Sequence, residues 1–232
     1  MTSSHLLAAV REFTTTILNP YDLPDLLHRL TDHATMVTGA QGCGIMLAGN
    51  DGLGFAAASD DGVVDVEVTQ DRIDDGPCHA AYERDQTMAI GDLEAEDRWP
   101  EYRQRALESG FRAVLGIPMR AWGQTIGVLD IYRRAPGPWS DTDRDAAEIM
   151  TAMGAGYILH ANQMRAQHEL ADQLQTALTS RDIIGQAKGL LMARHRVDAD
   201  EAFDMLRSTS QRGNMKLREV AAKVIEAENA RA

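Results

Sequence analysis

AVLGIPMRAWGQTIGVLDIY, residues 113–132, decides the fold of this chain. Two short apolar runs, 113–119 and 125–132, flank RAWGQ, and its Gly123 suits the tight loop of a β-hairpin. Upstream, further short apolar runs bounded by Gly, Asp and Asn read as strands: CGIML (43–47), LGFAAA (53–58), VVDVEV (63–68) and TMAI (87–90). Between them PCHAAYERD (77–85) and RWPEYRQRALESG (98–110) read as helices. The body is therefore an α+β domain, a sheet of five or six strands flanked by helices.

Two amphipathic helices precede the sheet. Over residues 4–18, Leu6, Leu7, Val10, Phe13, Ile17 and Leu18 share a face, and Asn19-Pro20 stops the helix. Over 23–37, Leu23, Leu26, Leu27, Leu30, Ala34 and Val37 do the same until Gly39. Downstream of Pro136-Gly137-Pro138, Ser140 offers a helix cap and Asp141 and Asp143 favour the dipole at its start. No proline follows, so this helix is expected to run from 141 into the 160s and beyond. Around 165–180 its apolar residues thin to a seam of Leu170, Leu174, Ala177 and Leu178. A seam that narrow suits pairing with an identical helix better than burial in a core.

The tail reads as three helices. IIGQAKGLLMARH (183–195) lies in the first, DEAFDMLRSTS (200–210) in the second behind a cap at Asp198, and KLREVAAKVIEAE (216–228) in the third after a break at Gly213-Asn214. Ala202, Phe203, Met205, Leu206, Leu217, Val220, Ala221, Val224 and Ile225 would close a very small core. The first of these helices poses a puzzle, because Gly185 and Gly189 each cost about 1 kcal/mol against alanine in a helix interior. They lie four apart on one side, where the missing Cβ atoms would admit another backbone.

Charge divides the chain at the same place. The net charge is -12, which argues against a polyanionic partner for the whole. Residues 1–174 hold 13 Arg and no Lys against 27 acids, whereas residues 175–232 hold 10 basic residues against 8 acids, with all three lysines, Lys188, Lys216 and Lys223. In the tail Lys188, Arg194, Arg196, Arg207, Arg212, Lys216 and Arg218 supply cations, while Ser210, Gln211 and Asn214 supply amide and hydroxyl donors near a turn. Such donors read bases splayed from an RNA loop while cations hold phosphates. A solvated helical face accounts for the same charges without a partner.

Enzyme motifs are absent: there is no GxSxG, GxxxxGK[ST] or GxGxxG. Cys43 and Cys78 form no CxxC, the histidines show no ligand spacing, and no metal is expected. Asp74-Asp75 before Gly76-Pro77 reads as a turn, and no spacing brings two carboxylates together. Cys78 and His79, with Tyr82 and with Trp99 and Tyr102 farther on, form a candidate small-molecule pocket. At a helix N-terminus the Cys78 thiol would be acidified and redox-active, while as a buried side chain it would be an inert packing group. Trp99 and Tyr102 serve equally as packing aromatics. The start of the chain carries no secretory pattern and no run long enough to span a membrane, so a cytoplasmic location is expected.

Residues 184–225, IGQAKGLLMARHRVDADEAFDMLRSTSQRGNMKLREVAAKVI, resemble an ANTAR domain, the RNA-binding antitermination module of bacterial regulators. The elements that carry the resemblance are Ala187-Lys188-Gly189, Met192, Glu201-Ala202-Phe203, Leu206-Arg207, Ser210-Gln211, Asn214, Lys216-Leu217 and Val220-Ala221. GPCHAAYERDQTMAIGDL (76–93), FRAVLGIPM, GQTIGVLDIY and WSDTDRDAAEIM resemble, in that order, a GAF sensor domain with its antiparallel sheet. The resemblance implies a GAF domain over 1–160, a helical linker with coiled-coil character over 161–180, and a three-helix ANTAR domain over 181–232. It further implies a homodimer that binds paired hairpins in an mRNA leader and prevents a terminator from forming, under control of a small-molecule signal whose identity the sequence leaves open. Lys188, Gly189, Arg194, Arg207, Ser210, Gln211, Asn214 and Lys216 are the RNA-binding residues this implies. The alternatives are a DNA-binding regulator and one that acts through protein contacts. KLREVAAKVIEAE, with Glu219, Glu226 and Glu228, makes a poor reader of a major groove.

Overall fold

The computed structural model describes residues 2–19, 21–49 and 52–230. These form two compact units, one up to Asn162 and the other from Gln163. In the first, α1 (Thr2–Thr16) and α2 (Leu23–Thr38) precede β1 (Gly42–Gly49) and β2 (Gly52–Ala58). The expected stop at Asn19-Pro20 falls partly on Pro20, outside the described residues. Then follow α3 (Asp61–Ile73), α4 (Pro77–Arg84), β3 (Met88–Ile90), α5 (Pro100–Glu108), β4 (Ala113–Ala121) and β5 (Gln124–Arg133). The sheet has the order β2-β1-β5-β4-β3, and every neighbouring pair is antiparallel. At the tip of the β4–β5 hairpin Trp122 and Gly123 both adopt positive φ, 51° and 75°, the twist a two-residue hairpin loop requires.

Strand alternation sorts side chains to two cores. Cys43, Ile45, Leu115, Ile117, Leu129 and Ile131 pack beneath α2 and the start of α6 (Asp141–His195), with Leu27, Leu30, Ala147 and Met150. On the other face Val114 and Tyr132 meet α3 and α5, and Met46 and Val128 meet Cys78 and Ala81 of α4.

One expected strand is a helix. VVDVEV lies within α3, which begins where the Asp60 carboxylate accepts from the backbone N–H groups of Gly62 and Val63, at 2.9 and 3.3 Å. Its buried side chains, Val63, Val66, Glu67, Thr69 and Gln70, recur at three- and four-residue steps. Three of the five are polar, so the apolar residues alone do not display the helical period.

In the second unit the part of α6 beyond Gln163 joins α7 (Ala199–Gly213) and α8 (Leu217–Asn229). The first tail helix is not separate, since IIGQAKGLLMARH forms the last turns of the 55-residue α6. That helix ends at Arg196, whose φ is 57°. A capping box of Asp198 and Glu201 starts α7, and Asn214 in left-handed conformation ends it. Ala187, Leu191, Ala202, Leu206, Val220 and Ala221 form the buried core, with Met205, Leu217, Val224 and Ile225 around it; Phe203, expected in this core, is half-buried outside it. Leu170, Leu174 and Leu178 stand 56, 56 and 57% exposed on the polar stretch of α6.

Candidate functional site

The tail residues singled out by sequence fall into surface and turn positions. Phe203, Arg207, Ser210 with Gln211, and Asn214 follow one another at three- and four-residue steps along α7, forming one stripe. Beside its start the Lys188 ammonium lies 5.9 Å from the centre of the half-buried Phe203 ring. Arg181, Asp182, Ile184, Gly185, Gln186, Lys188 and Phe203 line a shallow, open groove there. Arg207, Gln211, Asn214 and Lys216 are exposed. Ser210 is committed to structure, because its hydroxyl donates to the Met215 carbonyl at 2.6 Å and closes the α7–α8 turn. Arg194 reaches Glu228 at 3.5 Å and ties α6 to α8. Among the described residues Gly185 and Gly189 have no neighbour within 4 Å of where a Cβ would stand, so no described backbone uses the space they leave.

In the first unit Cys78 and His79 are buried in the opening turn of α4 and Tyr82 is half-buried there, while Trp99 is buried in the core with Arg98 stacked on its ring at 4.2 Å. The His79 Nδ1 faces Asp74 at 3.3 Å and its Nε2 is buried without a hydrogen-bond partner. The Cys78 thiol is not acidified: burial first, then the charges of Asp130 and Glu67, push it well above its ordinary value.

Beside Cys78 the fold assembles what no spacing announced, two buried carboxylates. Oxygens of Glu67 and Asp130 and the Cys78 Sγ all lie within 4.8 Å of one another. Glu67 is held in place: Tyr132 donates to its Oε1 at 3.0 Å and Gln70 to its Oε2 at 3.2 Å. The Gln70 carbonyl in turn accepts from the Cys78 N–H at 3.0 Å. Asp130, on the middle strand, is fully buried, and neither of its oxygens has a hydrogen-bond partner. Burial pushes its carboxyl up to about 7, the nearby thiol moderating the rise without meeting hydrogen-bond geometry. Burial and Asp130 likewise raise Glu67, against the opposing pull of its Tyr132 and Gln70 hydrogen bonds. The sequence held one signal for this cluster, an aspartate inside the apolar run TIGVLDIY.

The fold is a five-stranded antiparallel sheet with flanking helices, followed by a small helical unit. The chain belongs to the GAF family: the GAF domain model matches residues 22–158, and the ANTAR domain model follows at 172–225, giving the GAF–ANTAR architecture of a signal-controlled regulator. Both domains are regulatory rather than catalytic. No curated protein matches the chain. Solved structures agree on the fold of the body. The GAF domain of a phosphoenolpyruvate-protein phosphotransferase from Coxiella burnetii superposes with a TM-score of 0.55 at 18% identity, covering 70% of this chain and 98% of that one. The corresponding Acinetobacter domain gives 0.53 at 16%, covering 69% and 97%. Free methionine-R-sulfoxide reductase from Neisseria meningitidis, solved with its substrate, gives 0.52 at 18%, covering 66% and 88%. Among the described residues no helix is long and apolar enough to cross a membrane.

Proposed function

We propose that this protein is a cytoplasmic, signal-responsive antiterminator, a homodimer whose ANTAR units hold two adjacent hairpins of a nascent mRNA and so keep an overlapping terminator from folding. The observation that carries the reading is the ANTAR match over 172–225 coinciding with the α7 stripe and Lys188. Lys188 meets a loop phosphate, and Phe203 beside it offers a face for an unstacked base. Arg207, Gln211 and Lys216 extend contact along the exposed stripe, Arg194 adds charge, and Ser210 and Asn214 shape the turn that presents them. Gly189 leaves the surface beside Lys188 open to close approach. The exposed leucine seam pairs two copies, and a small-molecule signal acting on the GAF unit controls presentation.

The test is binding of the full chain to a labelled RNA with two adjacent short hairpins, beside a single hairpin and a duplex DNA, across salt concentrations. Tight binding to the paired hairpins alone is expected, weakened about 10-fold or more by Lys188→Ala with helicity unchanged. Equal binding to duplex DNA, or a collapse of helicity in Lys188→Ala, overturns the assignment.

A further inference from the structure

The buried cluster on the sheet's second face is arranged as a ligand set. Asp130 faces Gly44 of β1 and Gly116 of β4, its direct partners in register on either side. A Cβ at Gly44 would collide with the Glu67 carboxylate, and one at Gly116 would come within 2.7 Å of Asp130 Oδ1. Both strands are thus bare where the two carboxylates need room. Glu67 is oriented by Tyr132 and Gln70, as carboxylate ligands are by an outer shell of hydrogen bonds. Asp130 brings an oxygen within 4.8 Å of a Glu67 oxygen, neither of its own oxygens has a hydrogen-bond partner, and the Tyr102 hydroxyl is also buried without one. Among the described residues no cation is hydrogen-bonded to either acid, and two carboxylates this close in a buried site need either a shared proton or a compensating positive charge.

We propose that Glu67, Cys78 and Asp130 bind one divalent first-row transition metal ion inside the sensor unit. Three atoms mutually within 4.8 Å share a centre no more than about 2.8 Å from each, so reaching bond lengths of about 2.0–2.3 Å takes an inward shift below 1 Å. A sulfur with two oxygens suits zinc or ferrous iron rather than magnesium or calcium, which prefer oxygen alone. Binding is not a redox step: Cys78 releases its thiol proton to solvent, the acids release any proton they hold, and three bonds to the metal form. Gln70 links the Glu67 carboxylate to the Cys78 N–H, so metal occupancy is coupled to the position of α4. The site lies in the first unit, and its success or failure is independent of the RNA reading.

The probe is Co2+, given to chelator-treated full-length protein and, in parallel, supplied in the growth medium so that access to a buried site does not limit uptake. One Co2+ per chain, with a near-ultraviolet thiolate-to-metal band, is expected. Cys78→Ser removes the band. Gln70→Ala, which frees the Glu67 carboxylate, lowers affinity about 10- to 100-fold. Asp130→Asn, which keeps the shape and should fold at least as well, loses stoichiometric metal. Cys43→Ser, a cysteine buried on the opposite face, leaves band and stoichiometry unchanged. No stoichiometric cobalt by either route in folded protein, or a band that survives Cys78→Ser, overturns the site and leaves a pair of acids sharing a proton.

Discussion

The two units handle charge in opposite ways. In the GAF unit Glu67 and Asp130 are fully buried beside a thiol, against strands kept bare by Gly44 and Gly116. In the ANTAR unit the charged residues singled out stand at the surface, and Gly185 and Gly189 open toward solvent rather than toward a buried group. A buried charge is sensitive to protons and to small ions, because its field is little screened; an exposed one is sensitive to salt and to polyanions. The contrast is the one the proposed function requires, a small signal received in one unit and RNA met in the other.

The largest test of that contrast is pH. Asp130 titrates near 7 when folded against about 3.9 unfolded, so the folded state holds a proton the unfolded state has lost. The resulting stabilisation is complete below pH 4 and disappears as pH rises through 7, an effect on the order of 2–4 kcal/mol in chelator-treated protein. Denaturant melts between pH 5 and 8 should show stability of the GAF unit falling with pH. Asp130→Asn should reduce that slope, the remainder belonging to Glu67, which burial also raises; an unchanged slope would place the titrating group elsewhere.

Next is Gly44→Ala. The added Cβ meets the Glu67 carboxylate, held by Tyr132 and Gln70, so the side chain has little freedom to retreat. A loss of about 1–3 kcal/mol is expected, read as a lowered melting temperature of the GAF unit with the tail's transition unmoved. Smaller again is Leu174→Glu on the exposed seam. It should leave the folded chain's helicity intact and shift a dimer toward monomer in sedimentation, since an exposed leucine contributes little until a partner covers it. A dimer that withstands the change would move the pairing surface off this seam.

Much of this was legible in the residues themselves. The hairpin 113–132, the two leading helices and the break at Gly213-Asn214 follow from local pattern and turn chemistry, which act over a few residues. Glu67, Cys78 and Asp130 were not legible as a group, because they come from α3, α4 and β5 and meet only when the sheet closes. The same cause produced the misread strand: with Glu67 and Gln70 turned inward, α3 buries polar side chains where an apolar stripe was sought. In the tail, the exposed places of Arg207, Gln211 and Asn214 follow from one helix and its cap, whereas Phe203, expected in the small core, lies beside Lys188 instead.

The smallest expected effect bears on the puzzle of two glycines within one helix. Nothing among the described residues approaches either position, so Gly185→Ala and Gly189→Ala should each stabilise the ANTAR unit by up to about 1 kcal/mol through helix propensity. The sign is opposite to that at Gly44, where the same methyl group meets a fixed carboxylate. If the glycines instead serve close approach by RNA, the stabilised variants should bind paired hairpins more weakly than the parent, a loss of affinity accompanying a gain in melting temperature. A gain in stability with RNA affinity and dimerisation both unchanged would mean that neither glycine faces a partner, and would leave Lys188 and the α7 stripe to carry recognition without them.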